Sequence, residues 1–226
     1  MTGAIILAAG QGARLGGETP KGLQKLAQKH LFEHSLSAMH QCTMIDRIVV
    51  VVPAAEVESL TSAIDSHAYP KLETMVSGGA ARMESVICGM DAFPEEPEWI
   101  VVHDAARPLA SATLFTRVIK SAMQQGGAIA AARVTDTLKQ ADDTRITATV
   151  DRRRMWQAQT PQVFQCSALH TALTQCIREG TDVTDDAQAM ERAGHQVHVV
   201  LNTQPNPKIT TNADWEYVEH LLKSNT

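Results

Sequence analysis

Five basic residues, Arg14, Lys21, Arg107, Arg152 and Lys208, stand in stretches that read as loops or extended arms rather than as apolar periodic runs. The chain has 25 acidic against 20 basic residues and a net charge of −5, so no global basic field draws in a polyanion. Locally placed cations must hold one instead. Arg14 and Lys21 follow Ala8-Ala9-Gly10-Gln11-Gly12, whose small residues let backbone N–H groups approach an anion closely. A bare backbone cradle with two cations beside it suits a polyphosphate. Asp104 closes another apolar run, where an acid can hold a divalent cation, and Arg107 stands three residues on, where it can clamp a phosphate. The same spacing also suits a pair that caps the following helix. No Ser–His–Asp set and no zinc-like spacing of cysteine with histidine competes with these charges.

Neither familiar phosphate loop describes the first stretch. The dinucleotide fingerprint needs a third glycine at position 15, which is Leu15. The Walker loop can be laid on Gly12 and Gly17, but Glu18 then stands where its lysine belongs. A plain glycine turn that binds nothing stays open at this point.

The elements that would position these residues follow from periodicity. Residues 4–7, 46–52 and 99–102 hold largely apolar runs that read as strands, the second rich in β-branched residues and stopped by Pro53, and a further short strand is expected near 72–76. Residues 31–39 have apolar positions at helical spacing, and a further helix is expected over about 54–66. This β-loop-α-β-α-β order is the signature of a parallel sheet covered by helices on both faces. A second glycine turn, 77–81, opens a helix that runs to about 93, with Gly79 and Ser85 at its start. It reads equally as a ligand loop at a strand's carboxyl end or as a plain strand-to-helix connection. Residues 127–134 read as a tight, alanine-rich strand. Two alternating arms, 135–140 and 147–152, flank the polar turn 141–144 and form a hairpin with little core of its own. Such an arm needs a partner surface, and a second subunit would supply it.

Residues 155–164 show no periodicity and carry amides that are costly to bury unpaired. A helix over 167–179 ends at Gly180, Thr184 fits an N-cap, and 195–201 alternates like a strand. His195 and His198 fall on opposite faces of that strand and make no metal pair. Pro205 and Pro207 bracket Asn206 just ahead of Lys208 in a rigid loop that can aim the lysine inward, and a last helix covers 212–223. The chain opens on a strand with no basic region ahead of it, and no apolar run approaches the roughly 18 residues of a membrane span. Four cysteines without a pairing pattern suit a reducing compartment. The expectation is one cytoplasmic α/β domain over 1–226, with an arm at about 135–153 and no nucleic-acid or membrane partner.

Taken in order, these motifs resemble a known family. Ala8-Ala9-Gly10-x-Gly12-x-Arg14 with Pro20-Lys21, Gly78-Gly79 with Arg82 and Ser85-Val86, and His103-Asp104-Ala105-Ala106-Arg107-Pro108 all match it. So do Thr137 with Lys139, Arg152 with Gln159-Thr160-Pro161-Gln162, Thr184-Asp185, and Asn206-x-Lys208-Ile209-Thr210. Together they resemble the 2-C-methyl-D-erythritol 4-phosphate cytidylyltransferases of non-mevalonate isoprenoid synthesis. The resemblance implies a Rossmann-like nucleotidyltransferase domain with a mostly parallel central sheet and a protruding β-hairpin arm. It implies CTP and methylerythritol phosphate as substrates, Mg²⁺ as cofactor, and a homodimer joined through the arms. On the matching positions, Ala8, Ala9, Gly10, Gly12, Gly79 and Ser85 would line the CTP site. Arg14, Lys21 and Lys208 would act on the phosphates. Asp104, Arg107, Thr137, Arg152, Thr160 and Thr184 would surround the acceptor, with Asp104 also the metal ligand. The chain departs from the family pattern at Leu15, where a methionine is frequent, and at Gly22, where a glutamine is common. It also departs at Ala80, where an acid is common, and at Pro205, which removes an acid sometimes available near the metal.

Three other readings differ in testable ways. A sister enzyme acting on ribitol 5-phosphate would share the CTP loop and differ at the acceptor site. An NAD-dependent dehydrogenase predicts the missing third glycine and an acid directly after the second strand. A nucleotide sensor predicts CTP binding without turnover.

Overall fold

Runs such as Ile48-Val49-Val50-Val51-Val52 cannot present one polar face to water, so they belong in the middle of a sheet covered on both sides. The computed structural model describes residues 1–10, 21–65 and 67–224 and leaves the Lys21 side chain undescribed. In chain order it contains β1 (Thr2–Leu7), β2 (Lys25–Leu26), β3 (Lys29–His30), α1 (Leu31–Gln41), β4 (Arg47–Val52), α2 (Val57–Ala63) and β5 (Leu72–Ser77). There follow α3 (Arg82–Asp91), β6 (Trp99–Asp104), α4 (Ala112–Gln125), β7 (Gly127–Arg133), β8 (Leu138–Asp142) and β9 (Arg145–Val150). The remainder is β10 (Trp156–Gln165), α5 (Cys166–Arg178), α6 (Asp186–Arg192), β11 (His198–Leu201) and α7 (Asn212–Ser224).

The main sheet has the order β11-β7-β10-β6-β1-β4-β5, with every neighbouring pair parallel except those made by β10. From β1 the chain moves outward to β4 and β5, then returns to place β6 on the other side of β1. That reversal opens a crevice at the carboxyl ends of β1 and β6, the position where open parallel sheets bind ligands.

Alternate residues of each strand divide between two cores. Ala4, Ile6, Val50 and Val101 join Phe32 and Leu36 of α1 and Phe115 and Val118 of α4. Ile5, Val49, Val51 and Ile100 join Val86 of α3 and Leu169 and Leu173 of α5. Phe32, Phe115 and Phe164 are fully buried, each contributing about 2–3 kcal/mol of transfer free energy. The result is a three-layer α/β/α architecture.

Several elements differ from expectation. Residues 155–164, which lack periodicity, form most of β10, a central strand antiparallel to both β6 and β7. Pro161, which has no N–H for a ladder, sits where the register against β7 shifts between Ala158 and Gln162. The expected helix at 54–66 forms only as a 3-10 turn followed by the short α2. The last strand begins at His198 rather than 195. Helix α4 carries plain local signals: the Ser111 hydroxyl accepts from Leu114 N at 3.2 Å, and Gly126 ends the helix at φ +90°.

The arm is a separate two-stranded sheet of β8 and β9, with the turn at Asp143 in the left-handed region. Most of its residues are exposed, and Ile146 is 61% accessible. Among the described residues, no helix is long and apolar enough to cross a membrane.

Helix α7 closes the side next to Lys208 by packing Val218 against Leu26, Leu31 and Ile209. Its start is a reciprocal cap. The Thr211 hydroxyl accepts from Asp214 N at 3.2 Å. Asp214 Oδ2 accepts from Thr210 N, Thr210 Oγ1 and Thr211 N, each at 2.8 Å. These bonds, those from Thr210 first, hold the Asp214 carboxyl down at about 2. A folded-state value below the ordinary one means that the stabilisation is present above about pH 4 and lost as pH falls toward 2. Asp214→Asn is expected to cost about 1 kcal/mol at neutral pH, solvent screening limiting a larger effect. The gap between wild-type and variant urea midpoints should close as the pH is lowered. A pH-independent gap would remove the charge from this account.

Candidate active site

The crevice between β1 and β6 opens into a cleft of about 670 Å³. Its walls bring together Ala8, Ala9, Gly10, Gly79, Ser85, Asp104 and Lys208, all singled out by the sequence. Gly12 and Arg14 lie outside the described residues, as does the side chain of Lys21.

One end of the cleft is small and neutral. After β1, Ala8 N donates to Val51 O at 2.7 Å, which fixes where the glycine stretch leaves the sheet. The second glycine turn lies directly against it: a Cβ on Gly78 would stand 2.7 Å from Ala9 Cβ and 2.8 Å from Ser85 Oγ. A Cβ on Gly79 would stand 2.4 Å from that of Glu84. The two glycines therefore allow the backbone of β5, the start of α3 and the β1 loop to meet. Glu84 Oε2 accepts from Ala80 N at 2.7 Å and Ala81 N at 3.2 Å. An acid thus already occupies these donors at the head of α3, so they are not free to hold a phosphate. This end suits an uncharged ring better than an anion.

The other end is charged. Lys208 Nζ donates to Asp104 Oδ2 at 2.7 Å, and Arg82 approaches Asp104 Oδ1 at 3.4 Å. Arg82 also makes a bidentate pair with Asp186, at 2.9 and 2.8 Å, and Asp186 is fully buried. Burial alone would raise Asp104, but Arg82, then Lys208 and Arg107 hold its carboxyl well below the usual range. Burial likewise opposes the Arg82 charge, yet Asp186 and then Asp104 raise it above its ordinary value. Lys208 and Arg82 are the cations that line this end, with the Asp104 carboxylate between them.

Lys208 is aimed by its neighbours. Arg107 donates to Asn206 O at 2.7 Å, and Ile209 N donates to Ala106 O at 2.9 Å, which fastens the lysine loop to the turn after β6. Asn206 Nδ2 donates to Gln159 Oε1 at 3.1 Å and Thr160 O at 3.0 Å, and Asn202 Nδ2 also reaches Gln159 Oε1. The polar side chains of β10, costly to bury alone, thus find partners in the lysine loop. Gln162 does the same elsewhere, donating to Asp185 Oδ2 at 2.9 Å and accepting from Ala187 N at 3.0 Å.

The remaining sequence-derived residues lie apart from the cleft walls. Arg107 is half-buried and directs its guanidinium at the carbonyls of Asn206 and Ala158. Burial pushes its pKa down, against the pull of Asp104. Thr160 is buried behind Asp104. Thr137 is exposed at the arm's base, and Arg152, also exposed, donates to Thr135 O. Thr184 is exposed and donates to Gln188 Oε1. The cap of α6 is not Thr184 but Asp185, whose Oδ1 accepts from Gln188 N at 2.9 Å. A carboxylate one residue nearer the helix satisfies that donor more directly.

Arg82, Asp186, Gln159 and Asn206 belong to the site although no role was expected of them. Arg82, Gln159 and Asn206 sit inside quoted motifs. The buried partners of Arg82 and Gln159 are far away in sequence, so no local pattern announces them.

Comparison with known proteins agrees with this geometry. The family model described as "IspD: 2-C-methyl-D-erythritol 4-phosphate cytidylyltransferase" matches residues 2–224. The chain is 37% identical to the 2-C-methyl-D-erythritol 4-phosphate cytidylyltransferase of Haemophilus influenzae, over 98% of this chain and 96% of that one. It is 38% identical to the enzyme of the same name from Symbiobacterium thermophilum, over 97% and 92%. Among solved structures, 4-diphosphocytidyl-2C-methyl-D-erythritol synthase from Anaerococcus prevotii superposes with a TM-score of 0.85 at 27% identity, covering 98% of both chains.

Proposed function

The chain belongs to the 2-C-methyl-D-erythritol 4-phosphate cytidylyltransferase family, and from that premise we propose that it transfers CMP from CTP to 2-C-methyl-D-erythritol 4-phosphate, releasing pyrophosphate, in isoprenoid precursor synthesis. The observation that carries this reading is one cleft with two unlike ends. A small-residue end at Ala8, Ala9, Gly10, Gly79 and Ser85 adjoins a cationic end at Lys208 and Arg82. A nucleoside joined to a polyphosphate has that same polarity.

The acceptor's phosphate monoester has a second pKa of about 6 and is mostly dianionic at neutral pH, so it attacks without a general base. Its oxygen forms a bond to the α-phosphorus of CTP while the α–β phosphoanhydride bond breaks in line and pyrophosphate departs with the electron pair. The barrier is the approach of one anion to another and the charge on the leaving group, both answered by placed cations. Lys208 would serve the α-phosphate, with Arg14 and Lys21 along the triphosphate. Asp104, Arg107, Thr160 and Thr184 would border the acceptor. The exposed arms would clasp a second subunit and carry Thr137 and Arg152 to its acceptor pocket. A cytoplasmic setting would keep the four unpaired cysteines reduced.

Among the described residues there is no group of three or more metal-binding side chains. Asp104 is nevertheless ionised and borders the cleft, and Mg²⁺ often takes a single carboxylate together with substrate phosphates and water. Its two oxygens already meet Lys208 and Arg82, so an ion there would share the carboxylate with them, and when bound it would neutralise phosphate charge.

Pyrophosphate release with CTP and Mg²⁺, comparing methylerythritol 4-phosphate and ribitol 5-phosphate, tests the reading. Turnover with the first acceptor is expected. Turnover with ribitol 5-phosphate alone would move the acceptor assignment. Silence with both, from folded protein that binds CTP, would leave a nucleotide sensor.

A further inference from the structure

The geometry points to a buried hydrogen-bond relay, through Thr160 and His103, that positions the turn bearing Asp104, making His103 a positioning residue for the transfer reaction. The functional half of this inference rests on the reaction proposed above; the relay itself does not.

His103 is fully buried on β6, its ring edge-on to Phe115 with centroids 5.1 Å apart. Packing alone would be met by an aliphatic side chain, yet both ring nitrogens are engaged. Nε2 lies 3.2 Å from Arg107 O. A carbonyl only accepts, so Nε2 carries the proton. In the neutral ring Nδ1 is then an acceptor, and Thr160 Oγ1, 3.0 Å away, donates to it. The same hydroxyl accepts from Asp104 N at 3.0 Å. The direction of every bond follows: Asp104 N–H to Thr160, Thr160 O–H to His103, His103 Nε2–H to Arg107 O.

This circuit starts and ends within the five residues that hold Asp104. Arg107 N closes it from inside by donating to Asp104 O at 2.9 Å. The turn then passes its position to Lys208 through Arg107 to Asn206 O and Ala106 O to Ile209 N. Both halves of the Lys208–Asp104 pair therefore depend on the relay. Thr160 comes out as a positioning residue as well. Its hydroxyl donates once and accepts once inside the protein, and it is buried, so it orders the turn from behind Asp104. Displacements of about 1 Å at such a turn can cost up to 10²-fold in rate.

The test has two arms. Nitrogen-15 NMR of the wild-type protein at neutral pH should show His103 as the Nε2–H tautomer; an Nδ1–H tautomer would break the relay. In steady-state assays, His103→Leu and the isosteric Thr160→Val should each lower kcat by about 10-fold or more, with KM for CTP changed less than about twofold. The double variant should be no worse than the poorer single one, because both cut the same circuit. His103→Gln, which offers one donor and one acceptor, should recover most of the rate. Full activity in folded Thr160→Val or His103→Leu would overturn the positioning role. Should His103→Leu not fold, Thr160→Val and the tautomer still decide. If the wild type itself does not turn over, the reaction assignment fails, while the tautomer measurement continues to judge the relay.

Discussion

Lys208→Met is expected to lower kcat by about 10²–10³-fold while leaving the protein folded. The lysine reaches the cleft from a loop fastened at Asn206 and Ile209, so its charge is placed before substrate arrives and needs little reorganisation. In the proposed transfer such a charge would act most on the transition state, where negative charge gathers on the α-phosphate oxygens and the departing pyrophosphate. The loss should therefore appear in kcat more than in the affinity for CTP. Methionine keeps the length of the stem and removes only the ammonium. Stability should barely change, because the Lys208 side chain is 44% exposed and Asp104 retains Arg82. Lys208→Arg should recover only part of the rate, since a planar fork cannot occupy the place of a compact ammonium. Steady-state pyrophosphate release beside calorimetric CTP binding checks this. A kcat within about threefold of wild type would take Lys208 out of the mechanism.

The residues of this site differ in how far their roles can be read from the sequence, and the difference lies in where their partners are. β-Branched runs report burial on both faces by themselves, so the central strands and the crevice at their carboxyl ends follow from local composition. Paired glycines at 78 and 79 report a close approach, and prolines around Asn206 report a fixed loop ahead of Lys208. Strand β10 shows no such sign, because its buried stretch includes Gln159, Thr160 and Gln162 beside Val163 and Phe164. What makes that burial affordable is Asp185, Ala187, Asn202 and Asn206, more than twenty residues later in the chain. Periodicity measures hydrophobic side chains and does not register amides that become satisfied only in the fold. His103 shows the same limit: its place at the end of an apolar run is legible, whereas its tautomer depends on Thr160, 57 positions away. Helix α4 is the opposite case, with Ser111 and Gly126 both marking it locally.

Arg82→Met should destabilise the fold by about 3–5 kcal/mol, the usual effect of leaving one member of a buried ion pair alone. Asp186 is fully buried, and Arg82 meets both of its carboxylate oxygens. Removing the guanidinium leaves a fully buried carboxylate without its bidentate partner. The same substitution weakens the field on Asp104, which keeps Lys208 as its near cation. Loss of activity in this variant alone would therefore not separate a folding role from a role in the site. Arg82→Met combined with Asp186→Leu makes the separation. Replacing both members by apolar groups of similar size removes the stranded charge and should restore most of the lost stability. It does not restore the cation beside Asp104, so turnover should stay at least about tenfold below wild type at full folded population. Urea midpoints and kcat measured on the two variants report the two quantities independently. If turnover returns together with stability, Arg82 serves only to hold α3 against α6, and Lys208 with Arg107 suffices for the charge at Asp104.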